Sequence, residues 1–283
     1  MPSWRFDRQV IRVALFLRER LRVEAGDAVL IASPLRPERA IAEWAVVTIG
    51  AVAVLGDVDA PLVAATPSAA FVATPAAAKA AREAIPALRP EAIVVFEPGC
   101  PPEQARAWSE VLDLGGTLDT PERAQSYRSG AERLAPGMPA VKHRARRAKT
   151  FTSLTHGEMV QRLESLGAAW PSGESRVAYL AAGGEPGAIC WPLWAFTADG
   201  STSTVFGTPG REVEEVAELD PDFVVGPSGL ALPPRAPAVR APSRLGDVLA
   251  RLPWIGARVR AEGDTSRGLR PRHMLTFEGM RIS

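Results

Sequence analysis

The chain has 283 residues, 46% of them apolar and 23% charged, which suits one large or two small packed domains and excludes a disordered chain. Its 33 basic residues nearly balance 32 acidic ones, so no global field draws it to nucleic acid or to a membrane. Two cysteines, Cys100 and Cys190, exclude a disulfide framework and fit a reducing compartment. No apolar run approaches the roughly 20 residues of a membrane span. The first residues, Met1 to Arg5, lack the apolar core of a signal peptide, so a cytoplasmic protein is expected. Thirty of the basic residues are Arg and three are Lys, a bias that lowers the weight of any argument from arginine number alone. From Arg235 onward ten Arg face four acids, so the C-terminal stretch differs in kind from the rest.

Residues 5–22 place Phe6, Val10, Val13, Ala14, Leu17 and Leu21 on one stripe with arginines opposite, which predicts an amphipathic helix. Gly26-Asp27 ends that unit, and the apolar run 28–33 reads as a buried strand. Pro37 opens a helix, being tolerated in a first turn, and 51–56 and 68–74 read as further strands. Thr74-Pro75 is an N-cap followed by proline at the first helical position. A fourth strand is predicted at 92–97 and a helix over 101–112. Strands alternating with helices through the first 115 residues predict an α/β fold, a mainly parallel sheet with helices on both faces.

Residues 116–150 lose this rhythm and end in a basic run. Thr155 to Glu158 has the spacing of a capping box and heads a helix over 158–170. Strands follow at 176–181, 201–206 and 222–226, with helices over 190–196 and 211–219. The stretch from Pro227 to Pro242 is proline-rich and reads as an extended connector. The pattern over residues 244–259 predicts a short apolar-faced helix interrupted by Pro253, and no repeat of fixed period is visible.

Three segments in this order carry a family resemblance: AVLIASPLRPERAIAEWAVVTIGAVAVLGDVDAP from Ala28, TSLTHGEMVQRLESL from Thr152, and DPDFVVGPSGL from Asp220. Over roughly residues 5–230 the chain resembles the N-terminal part of adenylate-forming enzymes, the superfamily of acyl-CoA synthetases, luciferases and peptide-synthetase adenylation domains. Long-chain fatty acyl-CoA synthetases are the nearest in flavour. The resemblance implies activation of a carboxylic acid by ATP to an acyl-adenylate, then transfer to a thiol. That chemistry implies a loop rich in Gly, Ser and Thr, whose backbone N–H groups cradle the phosphates and whose small side chains admit them.

Upstream of Thr155 this chain instead reads APGMPAVKHRARRAKTFTS. Lys149 stands near the position of the family's loop lysine, offset in its spacing to His156. The stretch 181–191 carries Glu185 where the family has a His-containing motif lining the acyl site. The family's adenine, ribose and magnesium motifs and its mobile C-terminal domain come later than this sequence extends. Because transition-state stabilisation needs several preorganised groups together, the expectation is no adenylation site and no catalytic residue.

The candidate anion- or phosphate-binding residues are Lys142, Arg144, Arg146, Arg147, Lys149, Thr152, Ser153 and Thr155, with His143 inside the run. The same run also reads as a solvated loop replacing a lost functional one. Few aromatics interleave these charges, so nucleic acid is not expected. Thr155 reads best as a helix N-cap, and His156 as part of that helix start rather than as a general base. Three widely spaced histidines predict no metal site. Trp191, Trp194 and Phe196 read as core or as the lining of a remnant acyl pocket. Residues 226–229 do not match the nucleophile turn of serine hydrolases.

The expected organisation is an α/β core over 1–230, with a subdivision near 116–150, and a Pro/Arg-rich connector and tail over 231–283. The leading expectation is a non-catalytic homologue of an acyl-CoA synthetase used as a binding or scaffolding subunit, with no cofactor. Its rival is a diverged or two-chain adenylate-forming ligase using ATP and magnesium. A third reading is an anion- or lipid-responsive module. A protein partner or a second copy, engaged through residues 243–283, is expected, with a membrane surface as an alternative contact.

Overall fold

The computed structural model describes residues 3–34, 36–56, 66–143 and 151–161, together with the backbone of four later strands. The predicted first helix is α1 (Ser3–Leu15), which widens into a π-helical turn over Phe16–Arg20. Phe6, Val10, Val13, Ala14 and Leu17 are all buried, as their spacing requires. Burying each of the larger ones contributes about 1.5–3 kcal/mol. Next come β1 (Ala28–Ala32), α2 (Pro37–Thr48), β2 (Val52–Leu55), β3 (Ala69–Val72), α3 (Pro75–Ala84) and β4 (Ile93–Val95). The Thr74 hydroxyl accepts from the Ala77 amide at 3.1 Å, so the predicted cap is formed. Gly50 sits at φ +80° just before β2, where its amide bonds to Val47 and its carbonyl accepts from Gly26. A side chain there is strained.

The structure corrects the reading of the next stretch. Residues 101–105 form a turn, and Arg106–Ala107 are a two-residue strand, β5, paired with β4. The helix, α4 (Trp108–Leu118), therefore starts later than 101 and runs through Gly115 and Gly116. The region expected to lack rhythm holds α5 (Pro121–Ala131) and β6 (Pro139–His143). Thr120 caps α5 by accepting from the Arg123 amide at 3.3 Å, repeating the Thr-Pro device of α3. Strand β7 (Thr152–Thr155) follows.

These strands form one seven-stranded sheet in the order β5-β4-β3-β1-β2-β6-β7, parallel except for β7. Alternate residues serve two cores. Val29, Ile31, Ala69, Phe71, Ala53 and Leu55 join α1, α2, α4 and α5 on one face. Leu30, Ala70, Val72, Ile93 and Val95 join Ala78 and Ala81 of α3 on the other. Strands that are apolar on both sides need helices on both sides, and they have them.

A second sheet is wholly parallel, in the order β11-β10-β8-β9, from β8 (Ser175–Tyr179), β9 (Thr202–Phe206), β10 (Phe223–Gly226) and β11 (His273–Thr276). The strands predicted at 176–181, 201–206 and 222–226 are thus present. His273–Thr276, within the stretch read as a tail, is a sheet strand beside β10. The helices predicted over 190–196, 211–219 and 244–259, most of the one over 158–170, and the connector from Pro227 lie outside the described residues. Among the described residues no helix is long and apolar enough to cross a membrane.

Candidate functional site

The parallel register aligns the carboxyl ends of β1, β2, β3, β4 and β6 along one edge of the first sheet: Ile31 beside Leu55 and Phe71, Phe71 beside Val94, Leu55 beside His143. From β1 the chain moves to β2 on one side, then returns to β3 on the other. Helix α2 therefore leaves β1 toward one face and α3 leaves β3 toward the opposite one. Such a reversal opens a crevice at the carboxyl edge, where open α/β sheets bind ligands.

Arg36 stands at the start of α2, just beyond the carboxyl end of β1. Its Nε donates to Glu38 at 2.8 Å, a terminal nitrogen lies 3.6 Å from Glu97, and its guanidinium covers the Phe96 ring at 5.6 Å. One turn on, Arg39 is fully buried. Its Nε donates to Glu43 at 2.5 Å and its Nη1 to the Ser33 carbonyl at 2.6 Å, while Nη2 has no partner. Burial pushes the Glu43 carboxyl above the usual range, against the pull of Arg39. Among the described residues, the charged and imidazole residues buried as a whole, backbone included, are Arg39, Glu43 and His143. His143 ends β6, two residues beyond Val141, and so shares the sheet face on which α2 packs. Sequence reading missed the Arg39–Glu43 pair. Its signal was present: a charged i,i+4 pair inside the apolar run RAIAEWAVV.

The candidate anion residues divide across the fold. Strands β6 and β7 are an antiparallel hairpin in which His143 faces Thr152 and Lys142 faces Ser153. Residues 144–151 are its connection, leaving β6 at the carboxyl edge. Lys142, Thr152 and Ser153 are thus brought together at that end, with Lys142 half-buried and the other two exposed. Arg144, Arg146, Arg147 and Lys149 lie outside the described residues, as do Trp191, Trp194, Phe196 and Glu185.

Thr155 does not join the group. It pairs with Pro139 at the opposite end of β6, about 10 Å of strand from Thr152. Its hydroxyl accepts from the Glu158 amide at 3.2 Å, while the Glu158 carboxylate accepts from the Thr155 amide at 2.7 Å. This reciprocal capping box uses the side chain to start the helix at 156–161. His156 follows it there, its amide bonded to the Met138 carbonyl and its imidazole pKa lowered by burial. Both are remote from the carboxyl edge. Among the described residues no cluster of His, Cys, Asp and Glu is placed to hold a metal ion.

The fold is similar to that of the N-terminal part of solved adenylate-forming enzymes. The luciferase-like enzyme from the nonluminescent mealworm Zophobas morio superposes with a TM-score of 0.60 at 17% identity, over 78% of this chain and 51% of that one. A putative long-chain-fatty-acid CoA ligase from Rhodopseudomonas palustris gives 0.58 at 17% identity, over 77% and 54%. Acetoacetyl-CoA synthetase from Streptomyces lividans gives 0.57 at 17% identity, over 78% and 37%. The chain thus spans about half the length of the solved structures it resembles, or less. No family model and no curated protein matches the sequence.

Proposed function

We propose that the chain is a non-catalytic version of the adenylate-forming fold, acting as a binding or scaffolding subunit. One observation carries this reading: the β6–β7 connection, residues 144–151, reads RARRAKTF. Backbone amides wrap a triphosphate only where side chains are small enough to let it in. This connection holds no glycine and no serine, and four of its eight residues are Arg or Lys. Guanidinium and ammonium groups hold an anion from outside, as forks or point charges, rather than as a backbone cradle. By its sequence the connection carries positive charge and lacks the small residues that a backbone cradle for phosphoryl charge requires.

The second reading, a diverged ligase that activates a fatty or other carboxylic acid, is favoured by Lys149 within the same connection. Pyrophosphate exchange separates the two. Purified protein with ATP, magnesium and a range of fatty acids is expected to show no exchange above a protein-free control. Exchange that is present in the wild type and lost in Lys149→Ala overturns the non-catalytic reading.

A further inference from the structure

Away from the sheet edges, α1 packs against α5 on the face of the sheet that also carries α2 and α4. Asp7 of α1 meets Arg128 of α5 at 3.1 Å, and Arg8 and Arg12 reach back to Asp119, just before α5, at 2.6 and 3.4 Å. Between them lies a cleft of about 380 Å³, lined by Arg8, Ile11, Asp119, Pro121, Ala124, Gln125 and Arg128. This is the small end of the volume range of ligand sites. Ile11 and Ala124, both buried, give it an apolar floor together with Pro121.

The rim is built for charge. Asp119 is almost wholly buried, at 5% exposure, and both of its arginine partners bond through Nε. Arg8 therefore keeps its two terminal nitrogens without a partner, and its side chain is 56% exposed. Arg128 gives one terminal nitrogen to Asp7, keeps Nε and the other terminal nitrogen, and is 51% exposed. Three arginines here meet two aspartates, so the cleft is left one positive charge in excess. Planar guanidinium forks recognise carboxylate and phosphate oxygens in pairs.

We propose that this cleft is a binding site for a small amphipathic anion, its apolar body on Ile11, Pro121 and Ala124 and its head group between Arg8 and Arg128. The site is separate from the carboxyl edge and does not depend on the function proposed above. It is tested by calorimetric titration of the full chain with benzoate, phenyl phosphate and, as the uncharged control, benzyl alcohol.

One equivalent of benzoate or phenyl phosphate is expected to bind saturably, the tighter of the two assigning the head group, and benzyl alcohol is expected not to bind. The double variant Arg8→Gln, Arg128→Gln is expected to weaken the anion about tenfold or more, since charge-assisted hydrogen bonds are lost. Arg12 still holds Asp119 in that variant, and circular dichroism checks its fold. Ala124→Leu, which fills the floor while leaving both arginines, is expected to abolish binding as well. The proposal fails if neither anion binds saturably, if benzyl alcohol binds equally well, or if the double variant binds as tightly as the wild type.

Discussion

Arg39 and Glu43 lie one turn apart on α2, and burial makes the Glu43 carboxyl sensitive to protonation. Taking a carboxylate out of water favours its neutral form, and here that effect outweighs the adjacent guanidinium. The folded chain thus binds the Glu43 proton more tightly than the unfolded chain, whose pKa is near 4.5. The resulting stability is fully present below about pH 4.5 and is lost as pH rises through the higher folded value. Glu43→Gln, which cannot titrate, is expected to flatten that part of the profile in urea unfolding from pH 4 to pH 7. Identical slopes in wild type and variant would refute the assignment. The unpartnered Nη2 of Arg39 adds a cost of about 1–3 kcal/mol that the surrounding core must offset.

At the scale of elements, α4 shows what periodicity leaves unread. Two adjacent glycines argue against a helix, since each costs about 1 kcal/mol relative to alanine. Gly115 is nonetheless buried in one, because α1 crosses so closely that a β-carbon would run into the backbone of Arg12. Gly116 meets only the movable end of the Arg12 side chain, at 3.6 Å. Gly115→Ala is therefore expected to destabilise the fold by about 1–3 kcal/mol, and Gly116→Ala to leave it unchanged or stabilise it by up to about 1 kcal/mol. Chemical denaturation of the two variants side by side checks this, and equal midpoints would show that the crossing is loose. Strands β1 to β4 were readable because they are short apolar runs bounded by turn residues. Helix α5 was not, because only Ala124 and Tyr127 of it are buried and its apolar stripe is too sparse to stand out. Its Thr-Pro start was visible all the same. The hairpin that gathers Lys142, Thr152 and Ser153 while sending Thr155 to the far end depends on pairing between strands, which local pattern does not encode.

For the whole molecule, the first four strands of one sheet and all four of the other take the same spatial order: fourth, third, first, second along the chain. In the second sheet the fourth place is filled by His273–Thr276, so this segment covers the edge of β10. Bare strand edges pair with other chains. Deleting residues 270–283 is expected to lower Tm and to cause self-association that grows with concentration, followed by light scattering. A monodisperse deletion variant of unchanged Tm would mean that β11 contributes nothing to the sheet.

Every strand of the seven-stranded sheet comes from residues 28–155, and every strand of the other from residues 175–276. Among the described residues, no hydrogen-bonded ladder of the earlier sheet waits for sequence translated after Thr155. With ribosomes adding about 5–20 residues per second, the roughly 120 residues from there to Thr276 give the nascent chain about 6–24 s in which its leading half pairs up alone. Vectorial synthesis therefore delivers β1 to β7 before β8 to β11, an order that separates the two similar strand sets in time.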